Sequence, residues 1–218
     1  MMPNHHPSDE LLIAYAAGSQ SEPLDLVVAT HLALCPRCRN EVALLEELGG
    51  SLLKELPGES LDQADHDSIL ALLDEARPEE PVRPAPRSLD VDPMIPSPLR
   101  DYLAGPLEQL DWNSFQGVSQ VDLLPGVTDV RTRLMRIKPG TAMPSHTHGG
   151  SELTLVLAGG FSDEKGHYLR GDFAEADASV VHQPVADPGE ECICLAVTDG
   201  PLRLTGPFAR LLNPFLRF

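Results

Sequence analysis

The sequence predicts an α + β protein in two parts, a helical N-terminal region and a β-rich C-terminal region. Apolar residues recur at helical intervals over residues 8–76, whereas after residue 99 they fall in short alternating or β-branched runs separated by Pro and Gly. Seven prolines between residues 78 and 98 disfavour helix and sheet alike and predict an extended spacer. We therefore expect domains at 1–80 and 99–218, joined by a linker at 81–98.

Four helices are predicted in the first domain. Residues 8–19 begin with a Ser-Asp pair suited to capping and end near a glycine, and residues 23–34 form the second helix. The third begins at Pro36, because proline is favoured at the first helical position, and runs to residue 48 or beyond. Residues 65–76 form the fourth. The side chains expected to face inward on the third helix are Val42, Leu45, Leu48 and Leu52. On the fourth helix an apolar face is formed by Ile69, Leu72, Leu73 and Ala76.

A cluster of metal-binding residue types lies where the second helix meets the third. His31 and Cys35 are spaced i, i+4 and would share a helix face, and Cys38 follows three residues later. Two thiols and one imidazole at these intervals suit a structural zinc ion, but a tetrahedral site needs a fourth ligand. From spacing alone, either His5 or His6 can supply it.

Charge and composition limit the partners of the protein. The formal net charge is −17, and the Lys and Arg clusters that neutralise phosphates are absent, so we expect no direct DNA binding. Residues 1–98 carry 18 acidic and 6 basic residues, which favours a basic protein partner. The chain shows no signal-peptide pattern and no apolar run of membrane-spanning length, and its four cysteines suit a reducing compartment, so we expect a cytoplasmic protein.

The second domain predicts an antiparallel sandwich or barrel. Strands are expected in five runs, at 118–123, 129–137, 152–157, 178–181 and 191–198. Cys192 and Cys194 alternate along the last run and would point to one side of the strand. They are most simply small buried apolar residues.

A second group of possible ligands lies within the β region. His146 and His148 would project to the same side of a strand, and Glu152 can return to them after a Gly-Gly turn. His182 is a candidate for a fourth ligand. Imidazoles with a carboxylate suit a divalent metal such as zinc, iron, manganese or nickel.

These residues resemble the two conserved motifs of the cupin superfamily. The first motif is matched at every spacing by Gly140-x5-His146-x-His148-x3-Glu152-x6-Gly159. The second is in register but degenerate, at Gly171-x5-Asp177-x-Ser179-x2-His182-x3-Ala186, where it keeps the leading glycine and the metal histidine. The resemblance implies a double-stranded β-helix whose site holds zinc or another divalent metal.

The N-terminal half resembles the zinc-binding anti-sigma domain, whose pattern is an early His followed by H-x3-C-x2-C. That pattern falls on His6, His31, Cys35 and Cys38. The two domains in this order resemble the ChrR-type anti-sigma factors. The resemblance implies a structural zinc and a cytoplasmic inhibitor without catalytic residues, in a 1:1 complex with an extracytoplasmic-function sigma factor. It also implies release of the sigma factor under oxidative stress, by singlet oxygen or peroxide, with the cupin domain as sensor or regulator.

Two other functions fit the same residues. One is a metal-dependent cupin enzyme, of the dioxygenase or isomerase type, with an N-terminal docking module. The other is a zinc-stabilised scaffold with neither activity. For the helix at 65–76 we expect a contact with the sigma factor rather than ordinary packing.

Overall fold

The computed structural model describes residues 2–60, 62–75, 92 and 94–205. Helices come first and strands follow, so the predicted α + β class is confirmed. The helices are α1 (Asp9–Ala16), α2 (Glu22–Leu34), α3 (Pro36–Glu55), α4 (Gln63–Glu75) and the short α5 (Ser97–Arg100), followed by one 3-10 turn at Leu107–Gln109. Most of the predicted linker, at 81–91 and 93, lies outside the described residues, as does Ala76 of the fourth predicted helix.

The third helix is longer than its expected minimum and its distal half is exposed. It continues through Gly49 and Gly50 to Glu55. Val42 is buried, but Leu48 and Leu52 are 57% and 58% exposed, so the expectation that they face inward is wrong. The reason is length, because eight-residue α1 spans ~12 Å whereas twenty-residue α3 spans ~30 Å. The last turns of α3 therefore extend past α1, which packs against it.

The fourth helix contributes no buried side chain among its described residues. Ile69, Leu72 and Leu73 are spaced i, i+3, i+4 and thus share one face, which we call the α4 apolar face. Their exposed fractions are 54%, 65% and 66%. The buried residues of the helical region come instead from α1, α2 and α3. The apolar face that the sequence predicts on this helix therefore lies on the surface of the chain and not in its core.

The β region forms three antiparallel sheets. The largest has the order β1-β2-β3-β10-β5-β8, and the smaller ones have the orders β11-β4 and β7-β6-β9. The strands are β1 (Asn113–Phe115), β2 (Val118–Asp122), β3 (Arg131–Ile137), β4 (His146–His148), β5 (Glu152–Ala158), β6 (Gly160–Asp163), β7 (Gly166–Leu169), β8 (Phe173–Ala176), β9 (Val185–Ala186), β10 (Cys192–Thr198) and β11 (Leu202–Leu204).

Four of the five predicted strand runs correspond to β2, β3, β5 and β10. The fifth prediction, a strand at 178–181, is wrong because this run follows a turn held by Asp177. The carboxylate of Asp177 accepts the Ser179 amide at 2.8 Å, and its carbonyl accepts the Val180 amide at 3.1 Å. An aspartate that bonds the backbone two residues on favours a turn over a strand.

The helical and β regions share one hydrophobic core. Leu12 and Val27 of the helices belong to the same buried cluster as Leu134 and Leu155 of the large sheet. α2 packs against β5 and β10, and Ile95 and Leu99 are fully buried beside it. Packed structure therefore begins a few residues before position 99, within the predicted linker. None of the described helices combines the length and apolar character that crossing a membrane requires.

Candidate metal centres

The first cluster lies where the segment before α1 meets the junction of α2 and α3. His31 is in the last turn of α2, Cys35 precedes Pro36 at the start of α3, and Cys38 is in its first turn. The Nδ1 atom of His6 lies 3.5 Å from the Cys35 Sγ and 3.3 Å from the Cys38 Sγ. One ligand atom from each of the four residues lies within 4.8 Å of all the others. The structure thus brings the four predicted residues together.

His5, the alternative to His6, lies elsewhere. Its ring packs against the Tyr168 ring, with centroids 4.5 Å apart. The backbone bends at Asn4 and His5, and the two histidine rings have different neighbours, so that one of them faces the thiols. In this structure that residue is His6.

The two ring nitrogens of His31 have different surroundings. Burial lowers the pKa of His31 to about 4, so the ring is neutral at pH 7. Its Nδ1 donates to the Gly171 carbonyl at 2.9 Å, which leaves a lone pair on Nε2. That Nε2 atom is buried without a hydrogen-bond partner. A buried lone pair aimed at two thiols is an unsatisfied acceptor that a metal ion would satisfy.

The thiol of Cys38 also requires a cation before it can ionise. Burial, with the hydrogen bond and charge of Cys35, raises the pKa of Cys38 to about 12. A bound dication deprotonates such a thiol outright. Two sulfurs with two imidazole nitrogens are the donor set of tetrahedral zinc sites, so these four residues fit the ion that the sequence predicts.

The second cluster lies at the ends of β4 and β5. His146 and His148 bound β4, Glu152 begins β5, and His182 pairs with His146 through two backbone hydrogen bonds of 3.0 Å. The Nε2 atom of His182 lies 3.1 Å from that of His146 and 3.0 Å from that of His148. The His148 Nε2 atom is 3.2 Å from the Glu152 Oε2 atom. All four side chains converge within 4.8 Å.

Hydrogen bonds behind the rings direct lone pairs into the second cluster. His146 Nδ1 donates to the Pro144 carbonyl at 2.7 Å, and His182 Nδ1 donates to the Asp163 carboxylate at 3.0 Å. Burial lowers the pKa of His146 and favours its neutral form. Its Nε2 lone pair then faces that of His182 across about 3 Å, a repulsive arrangement unless a cation lies between them.

The other two side chains are also poorly satisfied without a cation. Burial lowers the pKa of His148 to about 4 and raises the pKa of Glu152 to about 7. Burial is the main cause of both shifts, and it disfavours charge on either side chain. The His, His, Glu and His side chains therefore fit a divalent metal, although residue type alone leaves its identity open.

A cavity of about 300 Å³ adjoins the second cluster inside the barrel. Its wall is mainly apolar, with a few polar residues that include Arg133 and Asp163. Cys194 lines it, but its hydrogen bond with Cys192 and its burial raise the pKa of the Cys194 thiol well above its usual value. Both cysteines are free and buried, as the sequence predicted for them. A thiol kept protonated in this way is a poor nucleophile.

Sequence reasoning missed the groups that orient these ligands. Asp163 lies on β6, nineteen positions before the histidine that it contacts, and the Gly171 carbonyl lies 140 positions from His31. Glycine and aspartate are common turn residues, so neither carried a signal of this role. Only the fold brings them to the rings.

Comparison with known proteins gives matches along nearly the whole chain. A family model described as the ChrR cupin-like domain matches residues 103–203. The anti-sigma-E factor ChrR of Cereibacter sphaeroides is 44% identical over 213 residues, which cover 98% of this chain and 98% of that protein. The crystal structure of Rhodobacter sphaeroides SigE in complex with the anti-sigma ChrR matches with a TM-score of 0.76 and 43% identity. That match covers 91% of this chain and 100% of the other.

Proposed function

This chain belongs to the ChrR family of anti-sigma factors, and we propose that it binds a sigma factor of the extracytoplasmic-function class and blocks its access to RNA polymerase. The observation that carries the proposal is the match to ChrR over 98% of both chains. The matched solved structure is a complex with SigE, which supports a sigma factor as the partner. The chain is a regulator rather than an enzyme, because its full-length relative is an anti-sigma factor.

The helices supply a surface suited to such a partner. The α4 apolar face is exposed in the isolated chain, and α3 adds further exposed leucines, namely Leu44, Leu48, Leu52 and Leu53. An amphipathic helix that leaves its apolar stripe in water is typical of a segment that docks in a groove of another protein. We propose that the α4 apolar face contacts the sigma factor.

Charge on the same helices favours the same kind of partner. Glu46, Glu47 and Glu55 are exposed along α3, and the N-terminal 98 residues carry 18 acidic against 6 basic residues. An acidic surface attracts the basic surface that a DNA-binding protein presents, and it repels DNA itself. We propose a 1:1 complex in the cytoplasm, where the sigma factor and the polymerase act.

We propose that the two clusters hold metal ions with different roles. His6, His31, Cys35 and Cys38 would hold a structural zinc that joins the N-terminal segment to the α2–α3 junction. His146, His148, Glu152 and His182 would hold zinc or another divalent metal in the sensor domain. The division into domains at 1–80 and 99–218, with the linker at 81–98, remains part of this proposal.

Oxidative release is the regulatory part of the proposal. Thiolate and imidazole side chains are the oxidisable groups of the two clusters, and singlet oxygen or peroxide would modify them. The oxidised side chains would favour a conformation of the chain that has lower affinity for the sigma factor. The sigma factor would then dissociate, because an effector shifts an equilibrium only through differential affinity for the two states.

The proposal is tested with the purified chain and the extracytoplasmic-function sigma factors of its genome. Light scattering after gel filtration should show a 1:1 complex with one of them, and the chain should inhibit transcription from promoters of that sigma factor. Failure to bind any of them would refute the anti-sigma function. Singlet oxygen should then release the wild-type complex faster than complexes of H146A or E152A chains. Equal release would remove the β region from the mechanism and leave inhibition intact.

A further inference from the structure

Two of the four proposed zinc ligands are held in place by the β region rather than by the helices. The relevant element is the β7–β8 turn, residues 169–173, which connects β7 to β8. Its Gly171 carbonyl accepts the Nδ1 hydrogen of His31 at 2.9 Å. The same turn binds the chain immediately before His6.

Asp172 makes that second connection. It is only 2% exposed, and its Oδ1 atom accepts the backbone amides of Asn4 and His5 at 2.6 and 2.9 Å. Its Oδ2 atom accepts the Leu169 amide within the turn at 2.8 Å. Hydrogen bonds to a carboxylate are strong and directional, and the two from Asn4 and His5 fix the Pro3–Asn4 and Asn4–His5 peptide units ahead of His6.

The neighbouring contacts continue this pairing along the N-terminal segment. The Phe173 amide donates to the His5 carbonyl at 3.1 Å, and the Ser8 amide donates to the Glu175 carboxylate at 2.7 Å. Gly171 has a φ of +92°, and a Cβ atom there would lie 2.8 Å from the Pro3 side chain. Residues 3–8 therefore lie along the turn and β8, and the close approach of Pro3 requires glycine at position 171.

We propose that Asp172 is a positioning residue of the zinc site. By holding residues 4 and 5 it aims His6 at the thiols, while the Gly171 carbonyl aims His31. Retention of the metal is then a property of both regions, and the β7–β8 turn is where the β region acts on the helical one. The inference rests on the proposed metal binding by the first cluster and is independent of which sigma factor is bound.

The test uses the full-length chain loaded with Co²⁺. Absorption from charge transfer between thiolate and cobalt reports the first cluster alone, because the four residues of the second cluster include no cysteine. The measured quantity is the rate at which this band disappears in excess EDTA. D172A should lose cobalt at least tenfold faster than the wild type. D129A, which removes an exposed aspartate whose carboxylate accepts the hydroxyl of the adjacent Thr128, should match the wild type.

The conservative variant keeps the test informative if D172A folds poorly. D172N retains an oxygen that can accept the Asn4 and His5 amides, so its rate should fall between those of D172A and the wild type. An unchanged rate in both variants would overturn the inference.

A double-mutant cycle separates positioning from general loosening of the fold. If Asp172 acts through His6, then D172A should cause no further acceleration in a chain that already carries H6A. Equal acceleration with and without His6 would refute the positioning role. A wild-type chain that shows no thiolate band would instead refute the metal assignment on which the inference rests. Failure to bind a sigma factor would refute the proposed function and leave these rates unaffected.

Discussion

Replacing Leu72 and Leu73 by alanine should weaken the sigma complex strongly without unfolding the free chain. The two side chains are 65% and 66% exposed, so their truncation removes little buried surface from the chain itself. Alanine has the highest helix propensity, and α4 should therefore stay helical in the variant. This choice means that a loss of binding reflects lost apolar contact rather than a lost helix.

The size of the effect follows from the area that binding would cover. Leucine to alanine removes three carbon groups, which are worth ~0.8 kcal/mol each when buried, or about 2.4 kcal/mol in all. About two thirds of each side chain is still available for burial by a partner, so each substitution should cost about 1.6 kcal/mol. Together the two changes give about 3 kcal/mol, which is a loss of affinity of the order of a hundredfold.

The assay is the equilibrium dissociation constant of the complex, measured by calorimetry for L72A/L73A and the wild type under the same conditions. Circular dichroism and the urea midpoint of the free chains check that the fold is unchanged. F115A provides a matched control, because Phe115 is 74% exposed but lies on the β1–β2 hairpin of the β region. A double variant that binds as tightly as the wild type would show that α4 does not contact the sigma factor.

Three further predictions concern the metal clusters and the turn between the two regions. Because the pKa of Cys38 is about 12, zinc binding must displace the proton of this thiol. The apparent zinc affinity should therefore rise at least tenfold per pH unit between pH 6 and 8. Competition with a chelator measures this affinity, and an affinity that does not change with pH would contradict the prediction. In the metal-free chain the pKa of Glu152 rises from 4.5 to about 7, so the stability that depends on its protonated carboxyl is fully present below pH 4.5 and is lost as pH rises to 7. E152Q, which cannot ionise, should therefore raise the free energy of unfolding by up to about 3 kcal/mol at pH 8 and leave it unchanged at pH 4. Urea titration of the two chains measures both values. G171A should destabilise the fold by ~1–3 kcal/mol, because φ is +92° and the new Cβ atom would clash with the Pro3 side chain. G126A, where a Cβ atom would meet open space, should unfold at the same urea concentration as the wild type.

Local signals in the sequence were sufficient to predict where the helices begin and which residue types form the candidate metal ligands. Pro36 does begin α3, and His31, Cys35 and Cys38 do converge, because residues within one or two helical turns are neighbours whatever the rest of the chain does. The same holds for β3, β5 and β10, whose seven-residue runs carry enough apolar character to be recognised. The shorter strands β6 to β9 carry too little apolar character to be recognised from the sequence.

Where the sequence-based expectations were wrong, a tertiary or side-chain effect outweighed the pattern. The spacing of Leu48 and Leu52 on α3 predicts that they belong to the core, yet both lie in water because α3 extends past α1. The run at 178–181 has β-branched residues, but the Asp177 side chain holds its first residues in a turn. Periodicity shows that a helix or strand has an apolar face, and it does not show what that face meets.

By itself, the sequence determined the order of helices and strands, the two sets of candidate ligands, and the family to which they point. The tertiary structure alone decided that Asp172 and Gly171 of the β region bind the segment before His6 and the ring of His31. It also places His6 rather than His5 beside the thiols, a choice that spacing left open and the family resemblance implied. The physical reason is the length of chain between the partners. Asp172 contacts Asn4 across 168 positions and Gly171 contacts His31 across 140, and no local spacing encodes contacts that only the shared core brings about.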